Sequence, residues 1–158
     1  MKEESYIMKE YLTRLLEGKD DDLLLNVLQI IMDKCAYGQR MDALSSAERM
    51  IYLLGVFEGE MNNGGFSQYL FNSSGKYAYE TVQALKIINA EHTASLLEKS
   101  IRIYKNGPTN DGRNEPEEDE LMEEQVDALN DLDRQFFAYN DHIHDLQFAY
   151  MINHRDEF

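Results

Sequence analysis

The residues of this 158-residue chain most able to act on another molecule are its carboxylates, and they are unevenly spread. Between Asp111 and Asp133 stand eleven acidic residues and one basic residue, Arg113, so most of the formal net charge of −15 falls in this stretch. Glu117, Glu120, Glu124, Asp127 and Asp131 recur at steps of three and four. On a helix that spacing sets negative groups roughly 5–6 Å apart along one face. The array is comparable with the phosphates along one strand of duplex DNA, which carries one charge per about 1.7 Å of axis over both strands. Such a face can occupy the basic groove of a nucleic-acid-binding protein. The partner-binding candidates are therefore Glu115, Glu117, Glu118, Asp119, Glu120, Glu123, Glu124, Asp127 and Asp131. The plainer alternative is a solvated helix face kept soluble by like charge, which is what most charge runs are.

A second polar group flanks Gly64-Gly65: Glu58, Glu60, Asn62, Asn63, Gln68 and Asn72. A helix beginning there would offer unpaired N–H groups to an anion, and a small-ligand or enzymatic pocket is the reading that follows. Ordinary turn chemistry is the alternative, with Asn63 or Asn72 as caps and Gln68 as a buried amide pinning one helix to another. His142, His144 and Asp145, with Asp141 and His154 nearby, resemble metal ligands on paper. Residues two apart on a helix point about 200° apart, however, and no two histidines stand four apart, so no metal site is expected. A Gly-rich phosphate loop with its lysine and a Ser-His-Asp arrangement are both missing, so neither a catalytic residue nor a cofactor is expected.

The totals set the frame for these groups. A chain of this length suits a single domain, 1–158, that buries about two-thirds of the surface its unfolded form exposes. Its single cysteine, Cys35, sits in an apolar helical pattern, which suits an inert buried thiol in a reducing compartment. No apolar run approaches the roughly 20 residues that span a bilayer, and the first residues, Met-Lys-Glu-Glu-Ser-Tyr, lack the apolar core of a signal peptide. A cytoplasmic protein is expected. So large a negative charge argues against direct binding to nucleic acid or to anionic membrane, since both would repel it; its partners should be basic, or the charge serves only solubility.

Hydrophobic spacing then supplies the elements. Ile7, Met8, Tyr11, Leu12, Leu15 and Leu16 mark a helix from Glu4 to about Gly18, and Leu24, Val27, Leu28, Ile31, Met32 and Cys35 mark a second from Asp20–Asp22 to about Tyr37-Gly38. Ser45 with Glu48 has the form of a capping box, opening a third helix through Met50, Ile51, Leu54, Phe57 and Met61. Asn62-Asn63-Gly64-Gly65, all tolerant of left-handed backbone, ends it, and a short fourth helix carries Phe66, Tyr69 and Leu70 to Asn72. A fifth helix, Lys76 to Ile88, turns inward either Tyr77, Val82, Leu85 and Ile88 or Tyr79 and Ile87 beside them, and a sixth buries Leu96, Leu97, Ile101 and Tyr104. One long acidic loop is expected over 106–116, then a helix from Glu117 to Leu132 through Leu121, Met122, Val126 and Leu129. A last helix carries Phe136, Phe137, Ile143, Leu146, Tyr150 and Met151. With little period-two alternation, the fold class is all-α: a compact multi-helix domain of about seven or eight helices. Ten tyrosines and no tryptophan suit core edges, with a minority free for self-association.

At Asn63-Gly64-Gly65-Phe66, Gln68-Tyr69 and Asn72, the chain resembles a family of small all-helical bacterial domains that includes a DNA-mimic protein. The likeness continues through Leu85 to Ala90, where Asn89 stands in place of a glycine, through Leu132 to Phe137, and through Tyr150 to Phe158. It covers about residue 45 to the end. The resemblance implies an all-helical fold, a homodimer, and an acidic surface that imitates duplex DNA to sequester a DNA-binding transcription regulator. The motif residues are turn and core residues, Asn63, Gly64, Gly65, Phe66, Gln68, Tyr69 and Asn72, so it carries no acidic binding position with it. The expected function is that of a non-enzymatic binding protein for a basic, DNA-binding partner. An immunity-like neutraliser of a basic toxin would share the same charge logic.

Overall fold

The computed structural model describes residues 2–17, 21–105 and 121–158. Among these the chain is all-α, with seven α-helices, three short 3-10 turns and no strand. The helices are α1 (Lys2–Glu17), α2 (Asp21–Lys34), α3 (Ser46–Phe71), α4 (Ala78–Ile87), α5 (Glu91–Lys105), α6 (Glu123–Phe137) and α7 (Ile143–Asn153). No described helix is long and apolar enough to cross a membrane. Packing divides the chain into two compact units, 1–55 with 143–158, and 56–142.

In the first unit α1 turns Met8 and Leu12 inward, α2 buries Leu23, Leu24, Val27 and Ile31 with Cys35 just beyond its end, and α7 buries Ile143, Phe148 and Met151. The capping box at the start of α3 forms as its residue types require. Ser45 N–H donates to Glu48 Oε2 at 2.8 Å, and Glu48 N–H donates to Ser45 Oγ at 3.1 Å. Glu48 is only 2% exposed, a position a carboxylate tolerates only when paired. Lys34 supplies the pairing, its ammonium donating to both Glu48 oxygens at 2.7 and 2.8 Å. The α2 helix stops at Lys34, earlier than Tyr37-Gly38, because Ala36, Tyr37 and Gly38 all take positive φ.

The second unit is built on a cluster of rings. Phe57 meets Tyr69 edge-on at 5.0 Å between centroids and Phe136 at 5.7 Å, and Phe66 meets Phe136 at 6.2 Å. Edge-to-face packing adds to the large apolar area these side chains remove from water. The amphipathic α5 packs against α4 and α6 and buries Leu96, Leu97, Ile101 and Tyr104. Around α4 the alternatives resolve: Val82, Leu85 and Ile88 are buried and Tyr77 is half-buried, while Tyr79 and Ile87 are exposed. Lys86 and Glu98 join α4 to α5 at 2.6 Å, and the bonded ammonium holds the Glu98 carboxyl below its usual range. Asp141 accepts Thr93 N–H at 2.7 Å, satisfying one of the unpaired donors in the first turn of α5.

Two sequence-based boundaries are corrected. The helix drawn from Glu117 begins at Glu123, because Leu121 and Met122 are not helical and the Met122 N–H is taken by Gln125 Oε1 at 3.0 Å. Phe136 and Phe137 close this helix rather than opening the last one. The break follows at Tyr139, whose φ of 50° ends the run. The loop expected over 106–116 lies outside the described residues.

Candidate functional site

The kink in α3 places most of the motif residues. Only Gly65 leaves helical geometry there, with φ 73° and ψ −164°; Asn62, Asn63 and Gly64 continue the helix, contrary to the expectation of a four-residue left-handed turn. One residue in this conformation suffices to redirect the chain, and glycine adopts it without a Cβ penalty. A Cβ at Gly65 would also overlap the Asp133 carboxylate. That carboxylate caps the second arm, because Phe66 N–H donates to Asp133 Oδ1 at 2.9 Å. Burial outweighs this hydrogen bond and pushes the Asp133 carboxyl above its ordinary range.

The remaining motif side chains close on one another. Gln68 Nε2 and Asn72 Nδ2 both donate to Glu60 Oε2, at 2.7 and 2.9 Å. Tyr69 O–H donates to Thr81 Oγ1 at 2.9 Å, and burial pushes the phenol up to about 12. Phe66 is fully buried. Of the polar group considered for a pocket, Glu60, Gln68 and Asn72 therefore meet, and Asn62 and Asn63 are exposed and stand apart. Glu60 stands before the kink and Gln68 and Asn72 after it, so the three satisfy one another across it.

Three of the four histidines serve local contacts, and His142 is exposed. His92 meets Asn140 at 3.1 Å, His154 meets Glu157 at 2.8 Å, and His144 packs on Phe148 with centroids 5.3 Å apart.

The helix α6 separates the acidic residues by direction. Leu129, Leu132 and Phe136 face the core, Gln125 donates to the Ile103 carbonyl at 2.7 Å, and Asp133 reaches Gly65 and Phe66. Glu123, Glu124, Asp127 and Asp131 are all exposed. The spacing of three and four brings them onto one side, with neighbouring Cβ atoms roughly 5–6 Å apart. Asp131 is bonded along its own helix to Arg134 at 2.8 Å and Gln135 at 3.3 Å. Among the described residues, no ion pair forms at Glu123, Glu124 or Asp127. Met122 and Val126, 48% and 39% exposed, add apolar surface to the same stretch. The other candidates, Glu115, Glu117, Glu118, Asp119 and Glu120, lie outside the described residues.

Sequence reasoning grouped Asp133 with this acidic run. Its true role was hidden because its partner stands 67 residues away in the chain. The one available signal was its offset from the outward spacing, one residue after Leu132 and three before Phe136.

The helical architecture, the kink at Asn63-Gly64-Gly65-Phe66 and the outward carboxylates can be set against known proteins. The family model described as DMP19-like protein matches residues 42–154. The chain belongs to the DMP19-like family. This is the DNA-mimic family that the glycine motif pointed to, and the match takes in the kink, the aromatic cluster and all of α6. No curated protein and no solved structure matched the chain.

Proposed function

We propose that this DMP19-like protein is a non-enzymatic acidic binding protein that sequesters a basic DNA-binding protein, such as a transcription regulator, by presenting carboxylates where that partner expects phosphates. The observation that carries the reading is the outward face of α6, where Glu123, Glu124, Asp127 and Asp131 stand exposed at helical spacing. A partner's lysines and arginines would find there what they find along a DNA strand. Glu115 and Glu117 to Glu120 precede this face in the sequence and belong to the same acidic run. Family membership supports the mimic type in general, and the net charge of −15 supports fast, salt-sensitive capture of a cation-rich surface. The protein would work as a cytoplasmic homodimer, with no cofactor.

The test is immobilised protein exposed at low salt to lysate of its native host, with elution in rising salt. A basic DNA-binding protein released by moderate salt and displaced by duplex DNA is the expected result. Retention of neutral proteins alone, or of a basic protein that DNA does not displace, would overturn the mimic reading.

A further inference from the structure

The first unit holds a cleft in which the acidic face of α6 takes no part. Its volume is about 380 Å³, enough to admit a small molecule. Among the described residues, Lys9, Leu12 and Thr13 of α1 line it together with Arg155, Asp156 and Phe158, which belong to the 3-10 turn Arg155–Glu157 and the residue after it. Local bonds hold that turn against the end of α7. Glu157 N–H donates to the His154 carbonyl at 2.9 Å, and the His154 ring meets Glu157 Oε1 at 2.8 Å while stacking on Tyr150 with centroids 4.2 Å apart. Arg155 Nη1 donates to the Ile152 carbonyl at 3.3 Å, which leaves most of the five guanidinium donors for another partner. Thr13 Oγ1 donates to the Lys9 carbonyl at 2.8 Å, and its lone pairs can still accept. Lys9, Arg155 and Asp156 are exposed, and among the described residues no ion pair forms at any of them. Leu12 is buried and Phe158 half-buried, so the same wall has an apolar part.

Two cations, one carboxylate, a hydroxyl and two apolar side chains thus line one cleft without neutralising one another. We propose that the cleft binds a free α-amino acid with an apolar side chain. Its carboxylate lies on Lys9 and Arg155, its ammonium on Asp156 with Thr13 Oγ1, and its side chain on Leu12 and Phe158. Volume only admits the ligand; charge selects it. A simple anion meets Asp156 here and the formal net charge of −15 everywhere else, and a simple cation meets Lys9 and Arg155. A zwitterion carries no net charge, so the field of the whole chain does not repel it, and each of its charged ends finds a counterpart in the cleft. Hydrogen bonds to charged groups are the stronger ones, which lets so small a molecule gain from both ends at once.

The test titrates the full chain with L-leucine by isothermal calorimetry at about 0.15 M salt, where a Debye length of about 8 Å leaves local charges to decide. Saturable binding is expected. Two analogues each remove one charged end: 4-methylpentanoate lacks the ammonium and 3-methylbutylamine lacks the carboxylate. Each should bind about tenfold more weakly than leucine, the loss of one charged contact. Asp156→Asn should weaken leucine by a similar factor and leave 4-methylpentanoate no weaker than before, whereas Lys9→Gln with Arg155→Gln should weaken leucine and the acid but not the amine. A merely structural role for these side chains would move all three ligands together. Circular dichroism checks that the variants keep their helices, and should one unfold, the three ligands on the parent chain decide. The proposal is overturned by absence of saturation with leucine, by either analogue binding as tightly as leucine, or by Asp156→Asn weakening the acid as much as the amino acid.

Discussion

The kink of α3 and the outward face of α6 are both rich in polar side chains, yet they use them in opposite ways. At the kink Glu60 is taken up by Gln68 and Asn72, Tyr69 by Thr81, and the Phe66 amide by Asp133. Each of these groups would be costly to bury alone, and each has a partner supplied by the fold. On the face of α6, Glu123, Glu124 and Asp127 are open to solvent with no ion pair among the described residues. A distinctive motif therefore marks the scaffold, while the binding face proposed for α6 consists of residues whose only pattern is charge and spacing. Asp133 belongs to both regions: acidic by sequence, it is the residue through which α6 holds the kink.

If the kink is structural throughout, substitutions there should cost stability, from large to small as burial falls. Phe57→Ala, emptying the centre of the ring cluster, should destabilise by about 3–5 kcal/mol in urea unfolding. Gly65→Ala combines a positive φ with overlap on Asp133 and should cost about 2–3 kcal/mol. Asp133→Ala strands the Phe66 amide and should cost about 1–2 kcal/mol. Asp133→Asn keeps an acceptor and removes a carboxylate that burial disfavours, so at neutral pH it should fall close to the parent. Equal losses for the alanine and asparagine variants would show that charge, rather than the hydrogen bond, is what the kink needs.

Tyr69 gives the comparison a pH dependence. Its folded phenol is raised from 10.0 to about 12, so the fold holds the proton more tightly than the unfolded chain. The associated stability is present below pH 10 and is lost as pH rises towards 12. Tyr69→Phe should flatten that alkaline limb, at a cost of about 1 kcal/mol at neutral pH for the partner left on Thr81. An unchanged alkaline limb in the variant would mean the phenol is not the group responsible.

The scaffold was legible where local rules decide the outcome. The Ser45–Glu48 box, the inward sets of α2 and α5, and the break beside Phe66 follow from residue types at short range. Legibility failed where a partner distant in the chain decides. Four residues seemed necessary for the turn, but Gly65 alone makes it, because Asp133 fills the space beside it and caps the next arm. The end of α6 was misplaced because Tyr139 is not a residue that ordinarily announces positive φ. On the face of α6, sequence spacing gave the correct side of the helix for Glu124, Asp127 and Asp131, yet could not show that Asp131 is partly engaged by Arg134.

The smallest expected change in stability goes with the largest expected change in binding. Combining Glu123→Lys, Glu124→Lys and Asp127→Lys alters only exposed side chains, so the unfolding free energy should stay within about 0.5 kcal/mol per site. Measuring the salt-dependent affinity of this variant for the DNA-binding protein captured by the parent, alongside its urea midpoint, tests the central claim most directly. The account predicts binding abolished at low salt with the fold intact. Full binding by the reversed variant, or loss of its fold, would contradict it.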